Sequence, residues 1–195
     1  MSGAGHGVEG RMGREVVDFL LSRRSRPAKL LRAPGPDRAA LVELLTAAAR
    51  VPDHGKLEPW RFVVLDGAGK DRYVAAIRAR AAEAGQDADK GALAFEQAPT
   101  VVAVVSSPKA SDKIPAIEQT LSGGAVALGL VNAALASGWG ASWMTGWTAY
   151  DRPLLEAALG LAPGETVVGY VYLGTCDTPP PDRPRPDVAA LTTWL

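Results

Sequence analysis

Three short stretches carry side chains whose types and spacing could do chemistry. The first is "SRRSRP", Ser22 to Pro27. Arg23, Arg24 and Arg26 offer guanidinium forks and Ser25 a hydroxyl, a donor set that suits a phosphate monoester. The same arginines would also complement the dipole of a helix ending there, and the residues alone leave both readings open. The second is "VPDHGKLEPW", Val51 to Trp60. Pro52 and Pro59 stiffen it, Gly55 permits an unusual backbone angle, and His54, Lys56 and Glu58 can all point one way. A lone loop histidine is often structural, but three polar groups in a rigid loop at a strand mouth read as a binding surface. The third is "GWGASWMTGWTAY", Gly138 to Tyr150. Its glycines allow close backbone approach, and Trp139, Trp143 and Trp147 supply flat apolar surface. A tryptophan-rich core corner is the alternative, and it is the reading taken for Trp139. A Thr145–Gly146 turn at the end of a strand would present backbone N–H groups to a ligand. Arg183 and Arg185 stand among prolines in the tail, where solvated charge is the simpler reading.

The elements that must position these groups can be read from apolar periodicity. "REVVDFLLSRRS" predicts a helix with Val16, Val17, Phe19 and Leu20 on its apolar face. "DRAALVELLTAAAR" predicts another, with Asp37 as N-cap. "RFVVLDG" reads as a short strand closed by an Asp-Gly turn. Helices are expected from Lys70 to about Ala84, over "DADKGALAFEQ", from about Pro115 to Ser137, and over "DRPLLEAALG". "PTVVAVVSS" is continuously apolar, which predicts a strand covered on both faces. "GASWMT" and "TVVGYVYLGT" read as further strands, and the Pro-rich tail as extended chain. Helices and buried strands without a strict βαβ rhythm predict an α+β fold, a mixed central sheet sandwiched by helices. Residues 1–13, Gly-rich, are expected to be disordered, and 14–195 to form a single domain.

Composition narrows the function classes. The 21 Lys+Arg balance the 21 Asp+Glu, so no global field recruits nucleic acid or an anionic membrane. Cys176 is the single cysteine, which excludes an internal disulfide, and with two histidines a zinc site is not expected. No G-x-G-x-x-G follows a strand and there is no Walker loop. The apolar run "LSGGAVALGLVNAALASGWG" is Gly/Ala-rich and holds Asn132, which fits a buried helix better than a membrane span. No signal peptide is read at the start, so a cytoplasmic location is expected.

The order of these pieces, Arg-Arg-Ser, then Pro-Trp-x-Phe into a strand, then Gly-x-Gly before a strand with Thr-Gly, then "VVGYVYLGT", resembles the nitroreductase family of FMN-dependent enzymes. The "RVPDH…PW" wording is similar to its branch of small NAD(P)H nitroreductases of the YdjA type. The resemblance covers about residues 14 to 190. It implies the nitroreductase-like fold, an intertwined homodimer with a flavin at each interface site, and NADH or NADPH as electron donor. The implied acceptor is a nitroaromatic or quinone, reduced by hydride transfer in a ping-pong cycle, with no acid–base residue because the flavin carries the chemistry. A flavin-binding or storage module of the same fold, or a dehalogenase-type flavoenzyme, is the alternative. The resemblance implies that Arg23, Ser25 and the intervening Arg24 hold the FMN phosphate and ribityl chain, with Arg185 and Arg183 returning to the phosphate. Arg50 and His54 would line the cofactor, and Lys56 and Glu58 would face the pyrimidine edge. Thr145 and Gly146, after Trp143 and Met144, would bring a backbone N–H to flavin N5. Two positions depart from the family pattern. Pro27 stands where a basic residue is common, leaving Arg26 or Lys29 to substitute, and Lys56 stands where asparagine is common.

Overall fold

A computed structural model describes residues 7–178 and 180–195, with side chains from Gly13 onward. Its centre is strand β2 (Thr100–Ser106), every residue of which is buried. β2 is flanked by β1 (Trp60–Leu65) and β4 (Thr166–Gly174), and β4 in turn by β3 (Gly140–Met144), giving the order β1-β2-β4-β3. The chain is α+β as expected, but the sheet expected to be mixed is antiparallel at every pairing of these four strands. The connections carry helices around the sheet rather than through right-handed parallel crossovers, so neighbouring strands run in opposite senses.

Because side chains alternate across a strand, β2 and β4 feed two cores. Val101, Ala103, Val105, Tyr170 and Tyr172 face α3 (Gly67–Ala84), α4 (Ala88–Gln97) and α6 (Arg152–Leu159). Val102, Val104, Val171 and Leu173 face α2 (Arg38–Ala48) and α5 (Ala116–Ala136). Each fully buried valine or leucine contributes about 1.5–3 kcal/mol of transfer free energy, which is why the continuous apolar run selects the central strand. In the first core Phe95 meets Tyr73 and Tyr170 edge-on at 5.2 and 4.9 Å, and Tyr170 donates to the Thr148 carbonyl at 2.9 Å. Burial pushes all three tyrosines, 73, 170 and 172, above the ordinary phenol range, so they stay neutral donors.

The helices follow their local signals. Asp37 caps α2 by accepting from Ala40 N–H at 2.8 Å, and Asp151 caps α6 by accepting from Leu154 N–H at 2.9 Å. Helix α5 is long and apolar enough to cross a bilayer, yet its Val126, Ala127, Leu130, Val131 and Ala134 are buried in the second core. Its small residues matter there: a Cβ on Gly129 would lie 3.0 Å from the Ala48 carbonyl of α2. Helix α1 begins at Gly7 and ends at Ser22. Residues 7–13 are therefore helical rather than disordered, and residues 1–6 lie outside the described residues. The Asp66–Gly67 pair read as a turn closing β1 opens α3 directly, with Asp66 at the N-cap position and Gly67 as the first helical residue.

Candidate functional site

Helix α1 stops where Ser22 turns its hydroxyl back onto the Asp18 carbonyl at 2.7 Å. The chain then runs out along β3, fastened by the Arg26 N–H to the Ala141 carbonyl at 2.7 Å. The tail returns to the same place. Arg24 donates to the Pro181 carbonyl and, at 3.3 Å, to Asp182, which also takes Arg185 at 2.8 Å. Arg23, Arg24, Ser25, Arg183 and Arg185, far apart in sequence, together line one cavity of about 120 Å³. The tail arginines, themselves exposed, thus line a cavity together with the arginines at the end of α1.

The electrostatics of this cavity are one-sided. Arg23 Nη2 touches Ser25 Oγ at 3.1 Å, but Arg23 Nε is buried with no hydrogen-bond partner. Burial, then the charges of Arg185, Arg24 and Arg26, pull the Arg23 guanidinium below its ordinary pKa. A buried donor left unpaired costs about 1–3 kcal/mol, more when it is charged. An anion with several acceptor oxygens removes that cost. Arg26 is half-buried with its guanidinium on the Arg24 carbonyl at 2.8 Å, whereas Lys29 is exposed in the 3-10 turn Ala28–Leu30.

The loop before β1 is held rigid by one residue the sequence reading passed over. The Asp53 carboxylate accepts from the N–H groups of Leu57 at 3.2 Å and Glu58 at 2.9 Å. Folding the loop around that carboxylate puts Gly55, Lys56 and Glu58 at φ of 71°, 54° and 49°. A Cβ at Gly55 would sit 2.5 Å from Ile114 Cδ1, a side-chain end that can move aside, so it is the left-handed φ that favours glycine there. Two bonds pin the loop to α5, His54 Nδ1 to Glu118 at 2.6 Å and Ser122 Oγ to the Pro52 carbonyl at 2.8 Å. The three polar groups do not point one way. Lys56 and Glu58 line a cavity of about 400 Å³ with Ala49, Val51, Trp60 and Phe62, while His54 turns to a separate groove with Glu118 and Leu121. The hydrogen bond with Glu118 redirects it. Arg50 is exposed between Ala49 and Val51, two of the residues that line the first cavity.

At the end of β3, Thr145 and Gly146 are exposed, but they do not form a turn. Gly146 is fully extended, φ 177° and ψ −174°, and the chain bends only in the 3-10 turn Trp147–Ala149 that follows. An ideal Cβ at Gly146 would meet nothing within 4 Å, so the backbone is open on that side. Met144 packs against the first core, and Trp143 is 38% exposed. Trp139 packs against the second core, as the core-corner reading predicts.

The structure thus brings Arg23, Arg24, Ser25, Arg183 and Arg185 to one cavity and Lys56 and Glu58 to another, while His54 turns to a third and Arg50 and Trp143–Gly146 line none of the three. The basic cavity beside β3 and the loop cavity before β1 have no lining residue in common. Asp53, Glu118, Ser122 and Asp182 are the positioning residues that sequence reading missed. An aspartate just ahead of a glycine-bearing loop is a turn signal and could have marked Asp53. The other three act through long-range contacts that carry no local pattern.

Comparison with known proteins identifies the family. The sequence profile of the nitroreductase family matches residues 20–175. The Escherichia coli (strain K12) protein named "Putative NAD(P)H nitroreductase YdjA" is 34% identical over 164 residues, 83% of this chain and 88% of its own. Among solved structures, the "Nitroreductase-like Family Protein from Bacillus cereus" superposes with a TM-score of 0.78 at 23% identity, over 92% of this chain and 95% of that one. A "putative nitroreductase in complex with fmn" from Desulfovibrio desulfuricans gives 0.72 at 18% identity, over 92% and 96%. With a family profile spanning most of its length and a relative above 30% identity covering most of both chains, the chain belongs to the nitroreductase family.

Proposed function

We propose that the protein is an FMN-dependent NAD(P)H oxidoreductase that acts as a homodimer in the cytoplasm. The observation that carries this reading is the unpaired, buried Arg23 Nε in a cavity lined by four arginines and a serine. That donor set fits the phosphate of FMN, and a nitroreductase relative was solved with FMN bound. Arg23, Arg24, Ser25, Arg183 and Arg185 hold the phosphate in this reading. The exposed backbone of Thr145–Gly146 directly follows the strand to which the basic segment is fastened, and in this reading it would face the ring end of the same molecule. FMN bound there supplies hydride transfer, from NADH or NADPH to a nitroaromatic or quinone acceptor in a ping-pong cycle. The chain's own tasks are to bind, orient and tune. Lys56 brings a cation to the ring edge on which negative charge accumulates, and Trp60 and Phe62 give the loop cavity an apolar floor.

The separation of the two cavities within one chain supports a dimeric site, in which the loop of one protomer completes the basic cavity of its partner. The direct test is equilibrium binding of FMN and riboflavin to the purified protein. The reading expects FMN to bind at least tenfold more tightly, since a single charge-assisted bond is worth roughly 1.5–3 kcal/mol. Equal affinities for the two flavins would show that the arginine cavity serves another anion.

A further inference from the structure

The exposed Thr145–Gly146 backbone leads into the 3-10 turn Trp147–Ala149, and that turn is held from inside the molecule. Its middle residue, Thr148, is buried, and the Thr148 carbonyl accepts from the Tyr170 hydroxyl at 2.9 Å. A carbonyl has no proton to give, so the Tyr170 proton lies in this bond. The hydroxyls of Tyr73 and Tyr170 are 2.5 Å apart, and Tyr73 is therefore the donor between them. The relay has one direction, from α3 through β4 to the turn.

Packing alone does not explain these two hydroxyls. Phe95 fills the middle of the same cluster without a polar atom, edge-on to both tyrosines. Tyr73 and Tyr170 are 1% and 0% exposed, and a hydroxyl buried that deeply is tolerated only where it is hydrogen-bonded. The backbone group that the pair serves is the Thr148 carbonyl. Two more contacts tie the same turn to the first core. The Trp147 indole packs there over α4, where a Cβ on Gly91 would come 2.7 Å from Nε1. Arg80 of α3 donates to Asp151 at 2.9 Å, and the Asp151 N–H donates to the Trp147 carbonyl at 3.0 Å. The Ala149 N–H in turn holds the Gly146 carbonyl at 3.0 Å, so the planar Gly146–Trp147 peptide moves with the turn.

Resting on the FMN reading above, we propose that Tyr170 is a positioning residue for the flavin site and that Tyr73 orients it. Neither side chain touches a ligand, because both lie in the core. They act by holding the Thr148 carbonyl, and through the turn the Gly146 peptide, in one place.

The test uses the full chain and reads FMN affinity, unfolding stability and the visible absorption band of bound FMN, which reports the surroundings of the ring. Tyr170→Phe removes the bond to Thr148. It should weaken FMN about two- to tenfold, the range of one neutral hydrogen bond, and shift the band. Tyr73→Phe keeps that bond but takes away the donor that polarises it, so it should shift the band the same way and weaken FMN by about twofold. Phe95→Leu disturbs the same cluster without touching the relay; it should lower stability and leave FMN affinity and the band unchanged. FMN losses that simply follow the stability losses across the three variants would overturn the inference and leave the proposed function standing. So would a Tyr170→Phe protein that binds FMN like wild type. If Tyr170→Phe does not fold, Tyr73→Phe decides, and a band and affinity identical to wild type there would overturn the inference. Wild-type protein that takes up no FMN would overturn the proposed function and this inference with it.

Discussion

In the proposed function, phosphate recognition turns on Arg23, because it alone among the cavity's arginines has a buried, unpaired nitrogen. Arg23→Ala should weaken FMN about ten- to a hundredfold, the value of one charge-assisted bond, and leave riboflavin binding nearly unchanged. Isothermal titration with the two flavins checks it, and equal losses for both would make Arg23 structural. Lys56 combines two effects that can be separated. A left-handed non-glycine residue costs of order 1–3 kcal/mol, and glycine at the same place returns part of that as chain entropy. Lys56→Gly should therefore raise unfolding stability by about 0.5–1 kcal/mol. In the proposed function the same change also removes a cation from the flavin edge, worth roughly 1–3 kcal/mol, and should lower the midpoint potential of bound FMN by about 20–60 mV at about 30 mV per 1.4 kcal/mol. Urea denaturation and equilibrium dye titration read the two separately. A more stable variant with an unchanged potential would place the ammonium in solvent. Both residues were legible as candidates in the sequence, since arginines beside a serine and a lysine in a stiff loop carry their chemistry with them. Their geometry was not. The loop's backbone angles follow from the Asp53 carboxylate, and the arginine cavity is completed by a tail that bonds Arg24 from more than 150 positions away.

At the scale of elements, the entry of β1 and the turn into β4 are clamped by one ion pair. Arg61 on β1 makes two bonds, at 2.8 and 2.7 Å, to Glu165 just before β4, and Glu165 also accepts from Ala162 N–H at 2.9 Å. The Arg61 bonds hold the Glu165 carboxyl down at about 2, from an ordinary 4.5, despite its burial. A carboxylate with a depressed folded-state pKa stabilises the fold above its unfolded value and loses that contribution as pH falls toward the folded one. The clamp should be at full strength above about pH 4.5 and fade on going down toward 2. Glu165→Gln should cost roughly 1.5–3 kcal/mol at pH 7 and flatten the stability profile between those values. A profile that stays as steep as wild type would mean other carboxylates govern acid unfolding. Helix and strand identity was readable from period and capping residues, as at Asp37 and Asp151. The antiparallel sense of the sheet was not, because local periodicity is the same for either direction. The extended Gly146 escaped for a similar reason: Thr-Gly reads as a turn until the following 3-10 turn is seen to take up the bend.

At the scale of the whole molecule, a single chain leaves a good deal of apolar surface in water. Val16, Val17, Leu20 and Leu21 of α1 are exposed, and so are Leu191, Trp194 and Leu195 of the tail. Apolar patches of this kind on a folded chain mark an interaction surface, and the homodimer of the proposed function would cover them. Light scattering of the FMN-loaded protein at micromolar concentration should report a dimer, and a monomer that keeps its FMN would contradict a shared site. The central claim, that this chain moves electrons from a nicotinamide to an acceptor through FMN, has one decisive measurement. FMN-loaded protein is mixed anaerobically with NADH or NADPH, and the visible band of oxidised flavin is followed. The account predicts that at least one nicotinamide bleaches the band and that a nitroaromatic or quinone restores it. A flavin that stays bound and yellow with both nicotinamides would contradict the account and leave a flavin-binding module in its place.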